Sequence, residues 1–432
     1  MKLFPSLHAL ALACAAGCAA GSVLAQDTTA PWLPAPAQVA AALQAQPVVR
    51  AAAERVQAAS ATQRALEVGS HELQANAGVQ QRHVRDEQRR YHEWELGLSR
   101  TLRLPRKAAL DRQIGDGTYH LARLRLEDAE HQVARRLLDA WMHWLRTSAL
   151  ATETTAQSQL LERERDAVAR RLALGDAAQR DVDALEAERA TQAAQALMAR
   201  DAQTAARQML VSGFAPVAVP DQPAPLPDPT EWLDHTQDWR ARILSESAEV
   251  AIARSASRLQ ARTAERARAE RTPDPTVGVR VLSDRGGRER TVGVVLSVPL
   301  GTAHRSAIAA TETANAHAAE AEAADVLRTI EQESWLAVQT AQSTHAQWQA
   351  LQQALAAQTA ASQRTHKAWE LGEAPLSEYL LALRNLHQAR LAETQARVDA
   401  LQAALRVRID AHALWHSAAA PEERTHDLSE NK

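Results

Sequence analysis

RRLALGDAAQRDVDALEAERATQAAQA, residues 170–196, and HKAWELGEAPLSEYLLALRNLHQARL, residues 366–391, are two versions of one chain reversal. Aligned, they superpose Leu174 on Leu371, Gly175 on Gly372 and Asp181 on Glu378, at a shift of 197 residues. In each, Leu-Gly interrupts a helical run, because glycine readily takes the left-handed backbone that ends a helix. Ala374-Pro375 suits the restart of the next helix. Upstream, ELGLSRTLRLPRK (95–107) aligns with GVVLSVPLGTAHR (293–305), pairing Leu98 with Leu296, Ser99 with Ser297 and Leu102 with Leu300 at a shift of 198. The near-equal shifts describe a tandem repeat whose intervening helices differ by one residue. Between the copies, GFAPVAVPDQPAPLPDPT (213–230) carries prolines that exclude helix and mark a linker.

The chain thus divides into a first repeat at 26–212, a linker at 213–231, a second repeat at 232–416 and a polar tail at 417–432. Each repeat reads as a leading helix (about 36–70, then about 232–271), a β-hairpin (73–104, then 276–300), a very long helix, a glycine-marked tip (174–176, then 371–375) and a return helix. The long helix of about 302–371 places Leu327, Ile330, Ser334, Ala337, Ala341, Thr344, Trp348, Leu351 and Leu355 at alternating spacings of three and four. Its return partner does the same with Leu376, Leu380, Leu383, His387, Leu391, Thr394, Val398, Leu401 and Leu405. Such spacing is a coiled-coil seam. The first copy repeats it more weakly through Val133, Leu137, Trp141, Trp144, Ser148 and Ala151. A helix from about 106 to 172 is roughly 100 Å long at 1.5 Å per residue, beyond any ordinary globular domain. Trp141, Trp144, Trp335 and Trp348 are expected to fill the seams.

The hairpins alternate with a period of two. Trp94, Leu96, Leu98, Leu102 and Leu104 alternate with Glu93, Glu95, Gly97, Ser99 and Thr101, and Val292, Val294, Leu296 and Val298 with Thr291, Gly293 and Ser297. Their partners are 276–283, with Val277, Val279 and Val281, and 73–84, the poorer match. Each approaches the ~10 residues of a strand that crosses an outer membrane. The turns RDEQRR (85–90) and DRGGRER (284–290) are too charged for hydrocarbon and are expected in water at the cell surface. Four strands cannot close a barrel, and open edges are not tolerated in lipid, so the barrel is expected to be shared between chains.

The first residues support export. Lys2 precedes an apolar run, and Val23 and Ala25 stand before Gln26, as in a secretory signal peptide spanning 1–25. Ala16-Gly17-Cys18 also forms a weak lipobox, leaving a lipid-anchored Cys18 as the other reading. Cys14 and Cys18 are the only cysteines, so cleavage after Ala25 leaves no disulfide to hold the chain together. Net charge is −3, with 49 Lys and Arg against 52 Asp and Glu, which gives no nucleic-acid footprint. Past the signal, no apolar stretch reaches the ~20 residues of a membrane helix. Aromatic residues make up only 3% of the chain, which suits long helices packed through small side chains rather than a thick core.

Chemistry is missing where an enzyme needs it. HEWEL (92–96) and HELQA (71–75) begin like a zinc-protease helix but lack the second histidine. No phosphate-binding glycine loop or nucleophile cluster is present, and no cofactor is expected. His412 and His416, four residues apart on the last helix, read as an exposed pair near the terminus rather than a metal site.

Two copies of helix, β-hairpin, long helix, glycine turn and helix resemble the TolC-like outer-membrane efflux family over nearly all of the mature chain. RLALGDAAQRDVDALEAE and AWELGEAPLSEYLLALRN are similar to the two periplasmic hairpin tips of that family, and RTPDPTVGVRVLSDRGGRERTVGVVLSVPLG (271–301) to its second β-hairpin, particularly in the heavy-metal CzcC-like branch. ELGLSRTLRLPRKAA resembles the exit of the first hairpin in that branch. The resemblance implies a mainly α protein with a small β part: a homotrimer whose shared transmembrane β-barrel, in outer-membrane lipid, continues into an α-barrel across the periplasm. It also implies a periplasmic adaptor protein and an inner-membrane pump as partners, with heavy-metal cations or drugs as cargo. Its periplasmic gate falls on Glu378, with Leu381 where the family has a second acid, and on Asp181 of the first copy. Asp181 would bond a basic group of the neighbouring hairpin, Arg384 or Arg171. Adaptor contact falls on Arg171, Leu172, Leu174, Gly175 and Asp176 in one tip and on Leu371, Gly372, Glu373 and Ser377 in the other. The competing reading is a periplasmic adaptor or secreted coiled-coil scaffold.

Overall fold

A computed structural model describes residues 30–229 and 238–415. The signal region with both cysteines, residues 230–237, His416 and the tail lie outside the described residues. The order is α1 (Pro36–Ala45), α2 (Pro47–Val68), β1 (Leu73–Val84), β2 (Arg89–Thr101), α3 (Pro105–Ala173) and α4 (Gln179–Gly213). It continues as α5 (Trp239–Glu246), α6 (Ala248–Ala269), β3 (Thr276–Asp284), β4 (Glu289–Ser297), α7 (Ala303–Glu370) and α8 (Leu376–Asp410).

Both leading helices are broken where the sequence predicts continuity. Pro47 has no N–H and disfavours helical backbone before it, so Gln46 is extended (φ −68°, ψ 134°) and α1 separates from α2. In the second case Ser247 leaves the helix and its hydroxyl accepts from the Val250 N–H at 3.2 Å, an N-cap that starts α6 afresh. The long helices match their expected bounds closely: α3 has 69 residues and α7 has 68, each about 100 Å long.

α3 packs along α4 and α7 along α8, while α2 lies on α3, α6 on α7, and α3 also meets α6 and α8. The predicted seam of α3 is buried throughout, from Val133 to Ala151. Leu138, Met142 and Leu145 are buried as well, because α1, α4 and α8 surround this stretch on several sides. Trp141 donates its indole N–H to the Trp32 carbonyl at 2.9 Å, which resolves the polar end of a buried ring. On α7 the seam is narrower. Ile330, Ser334, Ala341 and Trp348 are buried, and Trp348 donates to the buried Glu393 carboxylate at 2.8 Å. Trp335 is not a seam filler: one position beyond Ser334 it is turned about 100° off the stripe, and it is 51% exposed beside the equally exposed Leu336.

Charge, not only apolar packing, locks the middle of the helical body. Arg135 of α3 donates to Asp410 of α8 at 2.7 Å and to Glu249 of α6 at 3.1 Å, and Arg406 closes on Asp410 at 3.1 Å. Burial pushes the Asp410 carboxyl up, but the His131 hydrogen bond and the charges of Arg135 and Arg406 outweigh it and hold it below the ordinary aspartate range. A lowered acid stabilises the fold above its unfolded pKa and loses that contribution as pH falls through the folded value. Asp128 and Glu130 are shifted the other way, chiefly by burial, so protonating them on the way down relieves a cost. Asp410→Asn should therefore lower stability at neutral pH, by up to the roughly 3–5 kcal/mol of a stranded buried charge, and flatten the strongly acid limb of the melting profile. Melts of the helical signal across pH check this; an unchanged acid limb contradicts it.

Candidate functional site

Two regions gather the residues that the sequence singles out. The first is the sheet, an antiparallel meander of order β1-β2-β3-β4. Its register makes one face apolar across all four strands, with Ala75, Leu98, Val279 and Val294 forming one row and Ala77, Leu96, Val281 and Val292 the next. This side is open to solvent: Val294 is 77% exposed and Leu296 67%. The opposite face is small or polar, with rows such as Asn76, Gly97, Arg280 and Gly293. Gly278 is required there, since a Cβ would stand 2.8 Å from that of Ser99. Among the described residues β1 pairs only with β2 and β4 only with β3, so both outer edges keep free ladder groups.

All four strand–helix junctions gather at one end of the sheet, where an ion network that the sequence does not reveal joins the elements. Lys107 is almost wholly buried between Glu270 and Asp274, 3.1 Å from each. Asp274 also accepts from the Leu104 N–H and lies 3.3 Å from His71. Arg103 donates to the Leu66 and Glu67 carbonyls, capping the end of α2, and pairs with Asp111, which also holds Arg266 at 2.6 Å. The partners lie up to about 200 residues apart in the chain, so no local pattern announces them.

The second region is formed by the tips. α3 ends on Leu174, with Gly175 at φ 79°, and α7 ends on Leu371, with Gly372 at φ 77°. Gly175 N–H bonds the Leu172 carbonyl and Asp176 N–H that of Arg171, while Gly372 and Glu373 bond Trp369 and Ala368 in the same pattern. Both are Schellman endings. Asp181 and Glu378 then occupy the same third position of α4 and α8, where the helix dipole favours an acid.

Glu378 and Leu381 lie three residues apart on the exposed face of α8, away from Tyr379, Leu380 and Leu383, which are buried against Leu161, Val168 and Leu185. Asp181 is half-buried and pairs with its neighbour Arg180 at 3.7 Å. Within the chain neither expected basic partner reaches it: Arg384 holds Glu188 at 3.2 Å and Arg171 holds Asp176 at 3.0 Å. Arg171 also lies 5.7 Å over the Trp369 ring, which stacks on Tyr379, itself stacked on His366. This aromatic ladder ties one tip to the other. Burial and the Glu164 carboxylate that accepts its hydroxyl push Tyr379 well above the ordinary phenol range, so it stays a neutral donor. Leu174, Asp176, Leu371, Glu373 and Ser377 are exposed, and Leu172 is half-buried.

The motifs set aside as metal sites fall on other structure. HEWEL lies within β2 and HELQA runs into β1. His412 tilts on the His131 ring at 5.2 Å, 3.6 Å from Glu246. Among the described residues no group of three or more metal-ligating side chains gathers, and no helix is long and apolar enough to cross a membrane.

No family profile matches the sequence, and no curated relative matches it. Solved structures do. The outer-membrane protein VceC of Vibrio cholerae superposes with a TM-score of 0.70 at 18% identity, over 88% of this chain and 96% of that one. The outer-membrane channel OprN gives 0.66 at 18% identity, over 88% and 90%, and the CmeC outer-membrane channel of Campylobacter jejuni 0.64 at 12%, over 89% and 86%. The chain has the fold of the TolC-like outer-membrane efflux channels.

The tips generate a direct test of their geometry. A Cβ on Gly175 or Gly372 meets nothing within 4 Å, so substitution there is opposed by backbone conformation alone. Gly372→Ala should cost about 1–2 kcal/mol, and Gly372→Asn, which tolerates the left-handed region, distinctly less. Equal destabilisation by both in thermal melts would contradict the assignment of the ending.

Proposed function

We propose that the chain is the outer-membrane duct of a tripartite efflux system, a passive conduit built as two tandem copies of one unit. In this reading three copies supply twelve strands to one closed barrel, and their long helices form a tube across the periplasm. The observation that carries it is the sheet: a continuous apolar face turned outward, a polar face behind it, and two unsatisfied edges that lipid does not tolerate. A periplasmic adaptor or secreted scaffold has no need of such a face. The likeness of fold to outer-membrane channels supports the same reading.

The leader sends the chain out of the cytoplasm, and the exposed tip residues, Leu174 and Leu371 foremost, are the surface offered to a periplasmic adaptor and its inner-membrane pump. Asp181, Glu378 and Leu381 form the constriction, Glu378 and Leu381 through side chains that face away from their own hairpin. Heavy-metal cations and drugs are both cargo that such a mouth accommodates, the choice resting mainly with the pump.

The protein should fractionate with the outer membrane and extract as a homotrimer; recovery as a detergent-free soluble monomer contradicts this. Val294→Arg should impair assembly, at about 2–4 kcal/mol for a charge near the bilayer midplane, while Ser297→Arg, on the other face, should alter conductance instead. In planar bilayers Glu378→Gln should reduce cation preference and weaken block by divalent ions. Unchanged selectivity and block would remove Glu378 from the constriction.

A further inference from the structure

The charged turns are shorter than their sequences suggest, and the residues returned to the strands form a pattern of their own. Strand pairing brings Val84 opposite Arg89 and Asp284 opposite Glu289, so Arg90 and Arg290 are ladder residues and not turn residues. Register puts both on the outward face. Arg290 is paired with Ser283, which is paired with Trp94, so Arg290 shares a row with the last large apolar ring of the band. Arg90 is opposite His83, two rows farther from the helices. Between them lies the pair Gln81 and His92.

No acid interrupts this outward stretch. The strand carboxylates of the same end stand on the opposite face, with Glu93 buried against Arg82 at 2.6 Å and accepting from Gln80, and with Asp284 opposite Glu289, while Glu87 in the turn accepts from the Tyr91 hydroxyl of that face. Arg82 is neutralised there. Arg90 and Arg290 are exposed and form no ion pair among the described residues. Charge is thus sorted by face: acids and their partners inward, two free guanidinium groups outward, directly above the apolar band and beside a tryptophan of the kind that settles at a membrane surface.

We infer that Arg90 and Arg290 form a binding site for the phosphate groups of anionic lipid headgroups in the leaflet that surrounds the far end of the sheet. A guanidinium presents a planar fork of donors matched to phosphate oxygens and is more weakly hydrated than an ammonium, so it suits the wet edge of a bilayer. The inference rests on the reading of the sheet as a membrane barrel. It adds that the barrel selects its lipid annulus, and that its depth is set by charge at this rim as well as by the apolar band.

Trp94 is the only tryptophan on the sheet and reports from the same row as Arg290. The full-length oligomer is reconstituted into phosphatidylcholine vesicles containing phosphatidylglycerol, with bromine on the acyl chains of one lipid or the other, and the brominated lipid's quenching of Trp94 is measured against a Trp94→Phe blank. Brominated phosphatidylglycerol should quench Trp94 beyond its share of the lipid, corresponding to a preference of roughly fivefold, on the order of one arginine–headgroup contact. Arg90→Gln with Arg290→Gln should bring quenching down to the mole fraction, and high salt should weaken the wild-type preference. Arg280→Gln, on the inner face, should leave it intact. Equal quenching by both headgroups in the wild type would overturn the lipid site and leave the barrel standing. Absence of quenching by either lipid would overturn both.

Discussion

A β-strand edge carries backbone donors and acceptors that must be paired wherever water is absent. In this chain the four strands form an open sheet with such an edge on β1 and another on β4, and the apolar face between them is the one that lipid would cover. Those two facts cannot both persist in a solitary protomer inside a membrane. The proposed closure between copies would resolve them together, and it would place demands on everything below: strands from each copy would have to enter the barrel at one level, and the helices that follow would have to leave it in parallel. The network of Lys107, Asp274, Glu270, Asp111, Arg103 and Arg266, buried at Lys107, Asp274 and Asp111, is suited to that demand at the junction. It fixes the strand ends against the starts of α3 and the ends of α2 and α6, with every charge paired. Breaking one partner of such a cluster leaves another charge stranded, so the cluster ties the strand ends to the helices.

The long helices answer a different constraint. Helices about 100 Å long that pack side by side have no deep core to bury large side chains, so their seams are filled largely by alanine, serine and leucine, and large rings are buried mainly where several helices converge. Trp141 and Trp144 lie where α1, α3, α4 and α8 meet, whereas α7, flanked on fewer sides, buries Ser334 and Ala341 and leaves Trp335 and Leu336 open. At the tips Leu161, Val168 and Leu185 of the first hairpin pack against Leu376, Leu380 and Leu383 of the second, and the rings of Trp369 and Tyr379 join the two through Arg171 and Glu164.

Much of this fold is legible in the sequence. The alternation of Val292, Val294 and Leu296 gave the outward face, and Leu-Gly at 174–175 and 371–372 gave both reversals, because period and positive φ are local properties. The breaks at Gln46 and Ser247 are not legible in the periodicity, because a single breaker such as Pro47 leaves the amphipathic pattern on either side of it unchanged. Charge alone marks RDEQRR and DRGGRER as turns, whereas Arg90 and Arg290 are ladder residues, since strands at the end of a sheet carry charge where it faces water. What could not be read was everything that depends on distant partners. Lys107 gives no sign of the Asp274 and Glu270 that surround it, and Asp181 no sign that Arg384 and Arg171 already hold Glu188 and Asp176.

The shared barrel is tested most directly by cysteine scanning of the two free edges. The processed chain offers no competing thiol under either reading of its leader, so one cysteine is placed along β1, around Ala77, and one along β4, around Val294, and the membrane-embedded protein is oxidised without unfolding. Closure between copies predicts disulfide-linked dimers and trimers at alternating positions, as one face after the other brings the two edges into register. Monomeric species at every position, or β1–β4 links confined within single chains, would contradict it.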